Sequence, residues 1–216
     1  MELRRLAQEP LRRERFTIPG LHVCWPQDTV RVGMQNQPGR QVLVAVITGE
    51  AGRRIQHWRE RHDSKQAARL PPHLTLCYRV PDAPLPLVEA QVRHAFPSPV
   101  TLRLGRVFVL EHPEAPLAVS VSDTEGLDAA RRRLFDGRYV QMAGRHEWPW
   151  HITCVRYGLP RDRERLLRLA RTELDLDEPW TIEAISYLAL RGGRYDTVAE
   201  WELSRLSEAE RTARLG

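Results

Sequence analysis

The stretch WPWHITCVRYG (148–158) predicts more about the fold and function of this chain than any other segment. Its β-branched and apolar residues indicate a buried strand, yet His151 and Thr153 stand two residues apart within it. Successive side chains of a strand point to opposite faces, so this imidazole and hydroxyl share one face. The stretch PPHLTLCYRV (71–80) repeats the arrangement with His73 and Thr75.

A single His-x-Thr pair in a strand is common, because both residues are tolerated on half-buried sheet faces. Here two pairs occur in corresponding strands, and each follows a proline (Pro72 and Pro149) within two residues. This repetition indicates a shared role. The alternative, two unrelated core histidines, predicts that each is satisfied by local hydrogen bonds and that they share no cleft.

Composition and charge are those of a soluble globular protein. The 216 residues are 42% hydrophobic and 28% charged, which suits one large domain or two small lobes. No apolar run is long enough to span a bilayer, and the charged N-terminus lacks the apolar core of a secretory signal. We therefore expect a cytoplasmic protein without a membrane segment.

The net charge of +5 comes almost entirely from arginine, since Lys65 is the only lysine. Guanidinium groups bind phosphate oxygens in a bidentate fork, so the charge suits phosphate-bearing partners, although genome composition explains it equally well. The cysteines, Cys24, Cys77 and Cys154, form no CxxC pair, and neither a disulfide framework nor a cysteine zinc site is predicted. The two in the His-x-Thr strands are expected to be buried apolar residues.

The order of predicted elements indicates an α+β fold with antiparallel sheets. Strand, helix and strand before residue 100 match strand, helix and strand after residue 115, which suggests two pseudo-equivalent lobes. We assign 1–39 to an N-terminal extension with one short helix, 40–205 to a two-lobed domain and 206–216 to a helical tail. Strands are predicted at 40–49, 71–80, 99–112, 116–122, 148–158, 180–192 and 196–204, and helices at 50–70, 86–96, 123–137 and 161–174.

Other kinds of catalytic site are not indicated. His146 and His151 are five residues apart rather than four, and Pro149 prevents the helix that a zinc motif of this kind needs. The sequence has no GxSxG elbow, no GxGxxG or Walker loop and no lysine motif for nucleotidylation. No metal ion and no cofactor are therefore predicted.

Two histidines that face one cleft have a natural function in phosphoryl chemistry. A neutral imidazole takes a proton from the attacking hydroxyl or water, while a protonated one donates a proton to the leaving oxygen. The two threonine hydroxyls and a nearby arginine would hold the non-bridging oxygens as charge develops.

The segments HLTL at His73 and HITC at His151 resemble the paired HxT motifs of the two-histidine (2H) phosphoesterase superfamily. This superfamily includes the RNA 2′,3′-cyclic phosphodiesterases, also called 2′-5′ RNA ligases. The resemblance covers about residues 40–205 and implies a bilobal fold with a pseudo-twofold axis, in which two pseudo-symmetric antiparallel sheets with flanking helices face a central cleft. It implies that His73 and His151 are the acid and base, that Thr75 and Thr153 bind phosphate, and that Arg156 contacts it too.

The resemblance also implies the substrate, which is an RNA end or a nucleotide that carries a 2′,3′-cyclic phosphate. The enzyme would open the cyclic phosphate to a 2′-phosphate, and 2′-5′ ligation of RNA ends would be the reverse reaction. We expect a monomer. The alternatives are another small cyclic nucleotide or a 2′-5′ oligonucleotide as substrate, or an RNA-binding module without turnover. The first motif lacks the FLG ending common in bacterial members. Tyr78 and Trp150 are candidates for stacking on a base. Trp148 is a third stacking candidate, but alternation puts the two tryptophans on different sides of the strand, which favours core packing for at least one of them. Arg79, Arg138 and Arg145 could line the cleft.

Overall fold

The computed structural model describes residues 41–78, 84–111, 116–137, 140, 149–156, 162–174 and 176–203, without the side chain of residue 78. The predicted N-terminal extension, the helical tail and both predicted domain boundaries lie outside these ranges. All elements below belong to the described part of the chain.

The fold is α+β, as the sequence predicts. Its strands are antiparallel to their neighbours and belong to one sheet, and its helices lie between them in the chain. In chain order the elements are β1 (Gln41–Val46), α1 (Gly49–His62), α2 (Ser64–Ala67), β2 (His73–Tyr78), α3 (Leu85–Ala95), β3 (Val100–Val109), β4 (Leu117–Ser122), α4 (Glu125–Asp136), β5 (His151–Val155), α5 (Arg163–Glu173), β6 (Glu178–Ile182), β7 (Ala184–Arg191) and β8 (Arg194–Glu202).

The strand order is β6-β3-β4-β5-β2-β1-β7-β8, which divides into two halves of equal size. We call β2-β1-β7-β8 lobe 1 and β6-β3-β4-β5 lobe 2. In each lobe a His-x-Thr strand (β2 or β5) pairs with the strand that precedes it across a helix (β1 or β4). The predicted pseudo-symmetric halves are joined through the pair Leu74–Ile152, so that they form a single sheet.

The strand predicted at 180–192 is broken at Glu183 for a reason that concerns the whole fold. Its first part, β6, pairs with β3 in lobe 2, whereas its second part, β7, pairs with β1 in lobe 1. One residue therefore connects strands that lie six positions apart in the sheet order. The sheet must curl, and the two lobes are joined a second time at Glu183.

The core lies on one face of the sheet. Leu74 and Ile152 are fully buried and belong to one cluster with apolar side chains of four helices. The helices α1, α3, α4 and α5 contribute, among others, Trp58, Val92, Leu134 and Ala170. Because alternate strand residues point to opposite faces, the positions that flank Leu74 and Ile152 point away from this core.

The helix predicted at 50–70 is also broken, at Asp63. This residue has φ −151° and ψ 61°, which are not helical angles, and its side chain accepts a hydrogen bond from the backbone N–H of Gln66. Asp63 thus ends α1 and caps α2. The predicted inward-facing positions are confirmed, since Ile55, Trp58, Ala67 and Leu70 are buried.

Candidate active site

The structure brings the four predicted His-x-Thr residues together at the centre of the sheet. β2 and β5 are neighbours, and the pair Leu74–Ile152 fixes their register. His73 and Thr75 flank Leu74, and His151 and Thr153 flank Ile152, so all four side chains leave the sheet on the face opposite the main core. All four are partly exposed.

The register also sets the spacing of the two histidines. Continued by one residue each way, it puts His73 opposite Thr153 and Thr75 opposite His151. The histidines are then diagonal neighbours, whose Cα atoms lie roughly 7–8 Å apart in an antiparallel pair. A phosphate between the two imidazoles could be contacted from both sides at once, with a threonine hydroxyl next to each ring.

Both imidazoles are held by the same kind of hydrogen bond. Nδ1 of His73 lies 2.8 Å from the carbonyl oxygen of Pro71, and Nδ1 of His151 lies 2.8 Å from that of Pro149. A carbonyl oxygen only accepts, so each Nδ1 must carry the hydrogen. Nε2 is then the ring atom left to take up or release a proton, as in many catalytic histidines.

The protonation of His73 is set by its surroundings. The pKa of His73 is lowered to about 4, mainly because the ring is buried. The hydrogen bond to Pro71 raises this pKa, and the positive charges of Arg59, His151 and Arg156 lower it. The influence of His151 on this pKa reflects how close the two rings are. Near neutral pH His73 is therefore an uncharged imidazole whose Nε2 carries no proton.

A small recess of ≈ 100 Å³ opens beside the histidine–threonine pairs. His73, Thr75 and Thr153 line it together with Arg156, the predicted phosphate contact. Its remaining wall comes from lobe 1 and the α1–α2 corner, and consists of Val42, Arg59, Gln66, Arg69, Leu70 and Tyr195. The recess thus combines two hydroxyls and an imidazole with three arginines, which suits an anion the size of a phosphate.

Asp63 holds Arg156 in place across the lobes. One oxygen of its carboxylate accepts a hydrogen bond from the backbone N–H of Arg156 at 2.7 Å, and the other accepts from the N–H of Gln66 at 3.2 Å. Asp63 is buried, so this carboxylate connects the α1–α2 corner to the end of β5. Asp63 was not predicted from the sequence, although the segment DSKQ (63–66) has the pattern of a helix-capping box.

Arg59 is the second residue near the site that was not predicted from the sequence. It is 1% exposed, and its Nη2 donates hydrogen bonds to the carbonyls of Gln66 (3.0 Å) and Leu70 (2.7 Å). These bonds fix the turn that leads into β2 and therefore the position of His73. Burial lowers the pKa of Arg59, with opposing effects from Cys154 and Asp63. A lone arginine among many in the sequence gave no signal for this role.

The aromatic candidates have different positions. The recess is not lined by Trp150, which is 9% exposed and packs in the core. Its indole Nε1–H donates to Asp128 of α4 at 2.8 Å, and the Cζ atom of Arg131 lies 4.0 Å from the centre of its ring. Tyr78 ends β2, where its backbone pairs with Val42. The side chain of Tyr78 and the residues Arg79, Arg138, Arg145 and Trp148 lie outside the described part.

Two further observations concern the described residues only. They contain no group of three or more His, Cys, Asp or Glu side chains that could hold a metal ion. None of their helices combines the length and the apolar character that crossing a membrane requires. Cys77 and Cys154, also in the described part, are buried and are not joined in a disulfide, and burial raises the pKa of each thiol to about 12.

Comparison with known proteins gives a family match over most of the described domain. The model of the 2′-5′ RNA ligase superfamily matches residues 48–194, which include both His-x-Thr strands. No curated protein matches the chain.

Solved structures similar to the chain include apo LigT of E. coli, at 16% identity over 78% of this chain and 99% of LigT, with a TM-score of 0.49. Another is a protein described as a phosphoesterase, at 18% identity over 78% of this chain and 99% of that one, with a TM-score of 0.49. Usb1 of Kluyveromyces marxianus is 15% identical over 74% of this chain and 96% of its own, with a TM-score of 0.39. Since the family match extends over more than half of the chain, the chain belongs to the 2′-5′ RNA ligase superfamily of two-histidine phosphoesterases.

Proposed function

We propose that this protein hydrolyses 2′,3′-cyclic phosphates on RNA ends or nucleotides to 2′-phosphates, without a metal ion. His73 and His151 serve as the acid and base, and Thr75, Thr153 and Arg156 hold the phosphate oxygens. By microscopic reversibility the same site can join RNA ends through a 2′-5′ linkage, although water favours hydrolysis. The enzyme acts as a monomer in the cytoplasm.

One observation supports this proposal above the others. Two imidazoles stand on one face of adjacent strands, and each has its Nδ1 bound to a proline carbonyl, so in each ring Nε2 is the nitrogen that can exchange a proton. A protein that only binds RNA has no need of two mirrored proton-transfer groups. Two unrelated core histidines would not share an open face of the sheet.

The roles of the two histidines follow from the charge of His73. Because the pKa of His73 is lowered to about 4 by burial, this ring is neutral near pH 7 and can accept a proton, so we assign it the role of general base. Its Nε2 takes a proton from water, whose oxygen attacks phosphorus. The bond from phosphorus to the 3′ oxygen breaks, and that oxygen takes a proton from Nε2 of His151. The 2′-phosphate remains, and the threonine hydroxyls and Arg156 stabilise the charge that develops in between.

Hydrolysis of a 2′,3′-cyclic nucleotide and of a short RNA with the same terminal group, each with excess EDTA, tests the proposal. We expect turnover that survives chelation, gives a 2′-phosphate and falls by about 10²–10⁴ in His73→Ala and His151→Ala. The exposed His57 on α1 gives a matched control, His57→Ala, which should keep full activity. Turnover that requires added metal contradicts the mechanism, and a 3′-phosphate product contradicts the bond that is proposed to break.

If neither substrate is hydrolysed, the same assay with a 2′-5′ oligonucleotide and other small cyclic nucleotides tests the alternative substrates. RNA binding without turnover on any of them would indicate a binding module.

A further inference from the structure

The two lobes differ in what lies beside their histidine–threonine pairs. In lobe 1, β1 places Val46 opposite His73 and Val44 opposite Thr75. Val44 belongs to a small apolar cluster with Leu70 and Leu188. Val42 belongs to the same cluster, and Val46 and Tyr195 pack against it. The sheet face beside His73 is therefore filled by the protein's own side chains.

Lobe 2 has small residues at the equivalent positions. β4 places Ser120 opposite His151 and Ala118 opposite Thr153. On the next strand, Gly105 lies so close to Ser120 that a Cβ atom there would be 2.6 Å from the serine Oγ. Phe108 of β3 pairs with Ala118 and is partly exposed. The sheet face beside His151 therefore carries only short side chains on β4. The ring of Phe108 lies two strands away from Thr153, roughly 10 Å across the sheet.

This low surface continues into a depression of ≈ 460 Å³ lined by Arg106, Val107, Phe108, Ser120 and Arg171. The described lining residues include two arginines and no carboxylate. The depression of ≈ 500 Å³ that reaches β7 and β8 of lobe 1 has the opposite charge, since its described lining contains Glu183, Glu200 and Glu202 and no basic residue. Of these two surfaces, an anionic chain favours the one in lobe 2.

We propose that the surface formed by Ser120, Gly105, Phe108 and Arg106, which we call the lobe 2 shelf, binds the nucleoside of the substrate. This inference rests on the proposed function. The ribose that carries the cyclic phosphate lies over Ser120, next to His151. The base stacks on the ring of Phe108, and the phosphate on the 5′ side of the nucleoside lies near Arg106.

Stacking explains why an aromatic residue is useful at this place. Every base has a π-face, so a single ring binds any base with little preference for sequence. The arginine adds attraction for a 5′ phosphate, which a nucleotide within an RNA chain has and an isolated nucleoside 2′,3′-cyclic phosphate lacks. The shelf therefore predicts an enzyme that prefers RNA ends to small cyclic phosphates but tolerates any terminal base.

The test compares a nucleoside 2′,3′-cyclic phosphate with glycerol 1,2-cyclic phosphate, which has the same reacting group and no base. Phe108→Ala should lower kcat/KM for the nucleotide about tenfold and leave kcat/KM for the glycerol compound unchanged. Val198→Ala removes an exposed apolar side chain from β8, away from the shelf. It is the matched control and should change neither value of kcat/KM. Equal losses on both substrates in Phe108→Ala, or no loss on the nucleotide, would overturn the proposal.

Two more variants keep the proposal testable if Phe108→Ala is poorly folded. Ser120→Val copies the residue that lobe 1 has at Val46, and it should block the shelf and reduce turnover of the nucleotide alone. Arg106→Gln should abolish the preference for a substrate with a 5′ phosphate, whereas Arg168→Gln, at an exposed site on α5, should not. A preference that persists in Arg106→Gln would contradict the predicted 5′ contact.

The same measurements distinguish failure of the lobe 2 shelf from failure of the proposed function. If the wild-type protein hydrolyses neither cyclic phosphate, the function itself fails. If it hydrolyses both and the shelf variants reduce both equally, the function stands and the shelf does not.

Discussion

The lowered pKa of His73 makes the stability of the fold depend on pH between about 4 and 6.5. The folded protein holds this pKa at about 4, against an ordinary value of 6.5, because the ring is buried and several positive charges surround it. An unfolded chain binds a proton at this site below pH 6.5, whereas the folded chain does not until about pH 4. Stability is therefore fully present above pH 6.5 and is lost as the pH falls through this window.

The size of the loss follows from linkage. A shift from 6.5 to about 4 corresponds to about 2 kcal/mol of unfolding free energy lost between pH 8 and pH 5. Because His73 as a whole residue is still partly exposed, solvent screens some of this effect, and we expect about 1–2 kcal/mol. The variant His73→Gln cannot titrate at this position, so it should lose that much less stability than the wild type over the same interval.

Urea unfolding at pH 8 and pH 5 measures this difference. The wild type, His73→Gln and the control His57→Gln, which changes an exposed histidine of α1, are compared under the same salt conditions. The wild type and His57→Gln should lose stability in parallel, and His73→Gln should lose less. If all three proteins lose the same free energy, His73 is not a neutral, desolvated imidazole in the folded state, and its assignment as the base loses its support.

Two further predictions concern residues around the site. Asp63→Ala removes the acceptor for the backbone N–H groups of Gln66 and Arg156, so it should lower the unfolding free energy by about 2–3 kcal/mol and also reduce kcat/KM. Asp63→Asn keeps an acceptor oxygen and should lose less stability and less activity. Unchanged activity in Asp63→Ala would show that the bond from Asp63 does not position Arg156. Trp150→Phe removes the hydrogen bond to Asp128 and should cost about 1–2 kcal/mol in urea unfolding with little change in KM for a cyclic nucleotide. A large rise in KM with unchanged stability would instead support the stacking role predicted from the sequence.

The parts of this structure that the sequence predicted are those with a local periodic signal. Alternation within the two strands was enough to place His73 and Thr75 on one face, and the same holds for His151 and Thr153. Correspondence between the two halves of the chain then predicted that the strands are equivalent. The structure adds that they are neighbours, joined through Leu74 and Ile152.

The parts that were missed depend on contacts between distant segments. The bond from Asp63 to Arg156 joins residues of different lobes, and no spacing rule in the sequence connects them. The strand predicted at 180–192 gave no sign of a break at Glu183, because each part on its own has an ordinary strand sequence and the two parts pair with strands of different lobes. For Trp150 the sequence offered both stacking and core packing, since alternation puts Trp148 and Trp150 on different sides of the strand, and the structure shows core packing.

The difference between the two lobes could not be predicted from the sequence either. The pairs Val46–His73 and Ser120–His151 are equivalent in the fold, yet nothing in the chain marks valine and serine as partners until the strand register is known. The two histidine–threonine pairs are pseudo-symmetric, but the residues beside them differ, so a substrate would bind in one orientation. In the proposed complex the nucleoside therefore lies on the lobe 2 side of the histidines, and the phosphate recess is walled by lobe 1.

The claim that both histidines act on one phosphate is tested most directly by a double-mutant cycle. kcat/KM for a 2′,3′-cyclic nucleotide is measured for the wild type, His73→Ala, His151→Ala and the double variant, all with excess EDTA. Groups that act as a unit are not additive, so the double variant should be about as active as the weaker single variant. A double variant whose loss equals the product of the two single losses would show that the histidines act independently, and single variants with full activity would show that neither takes part.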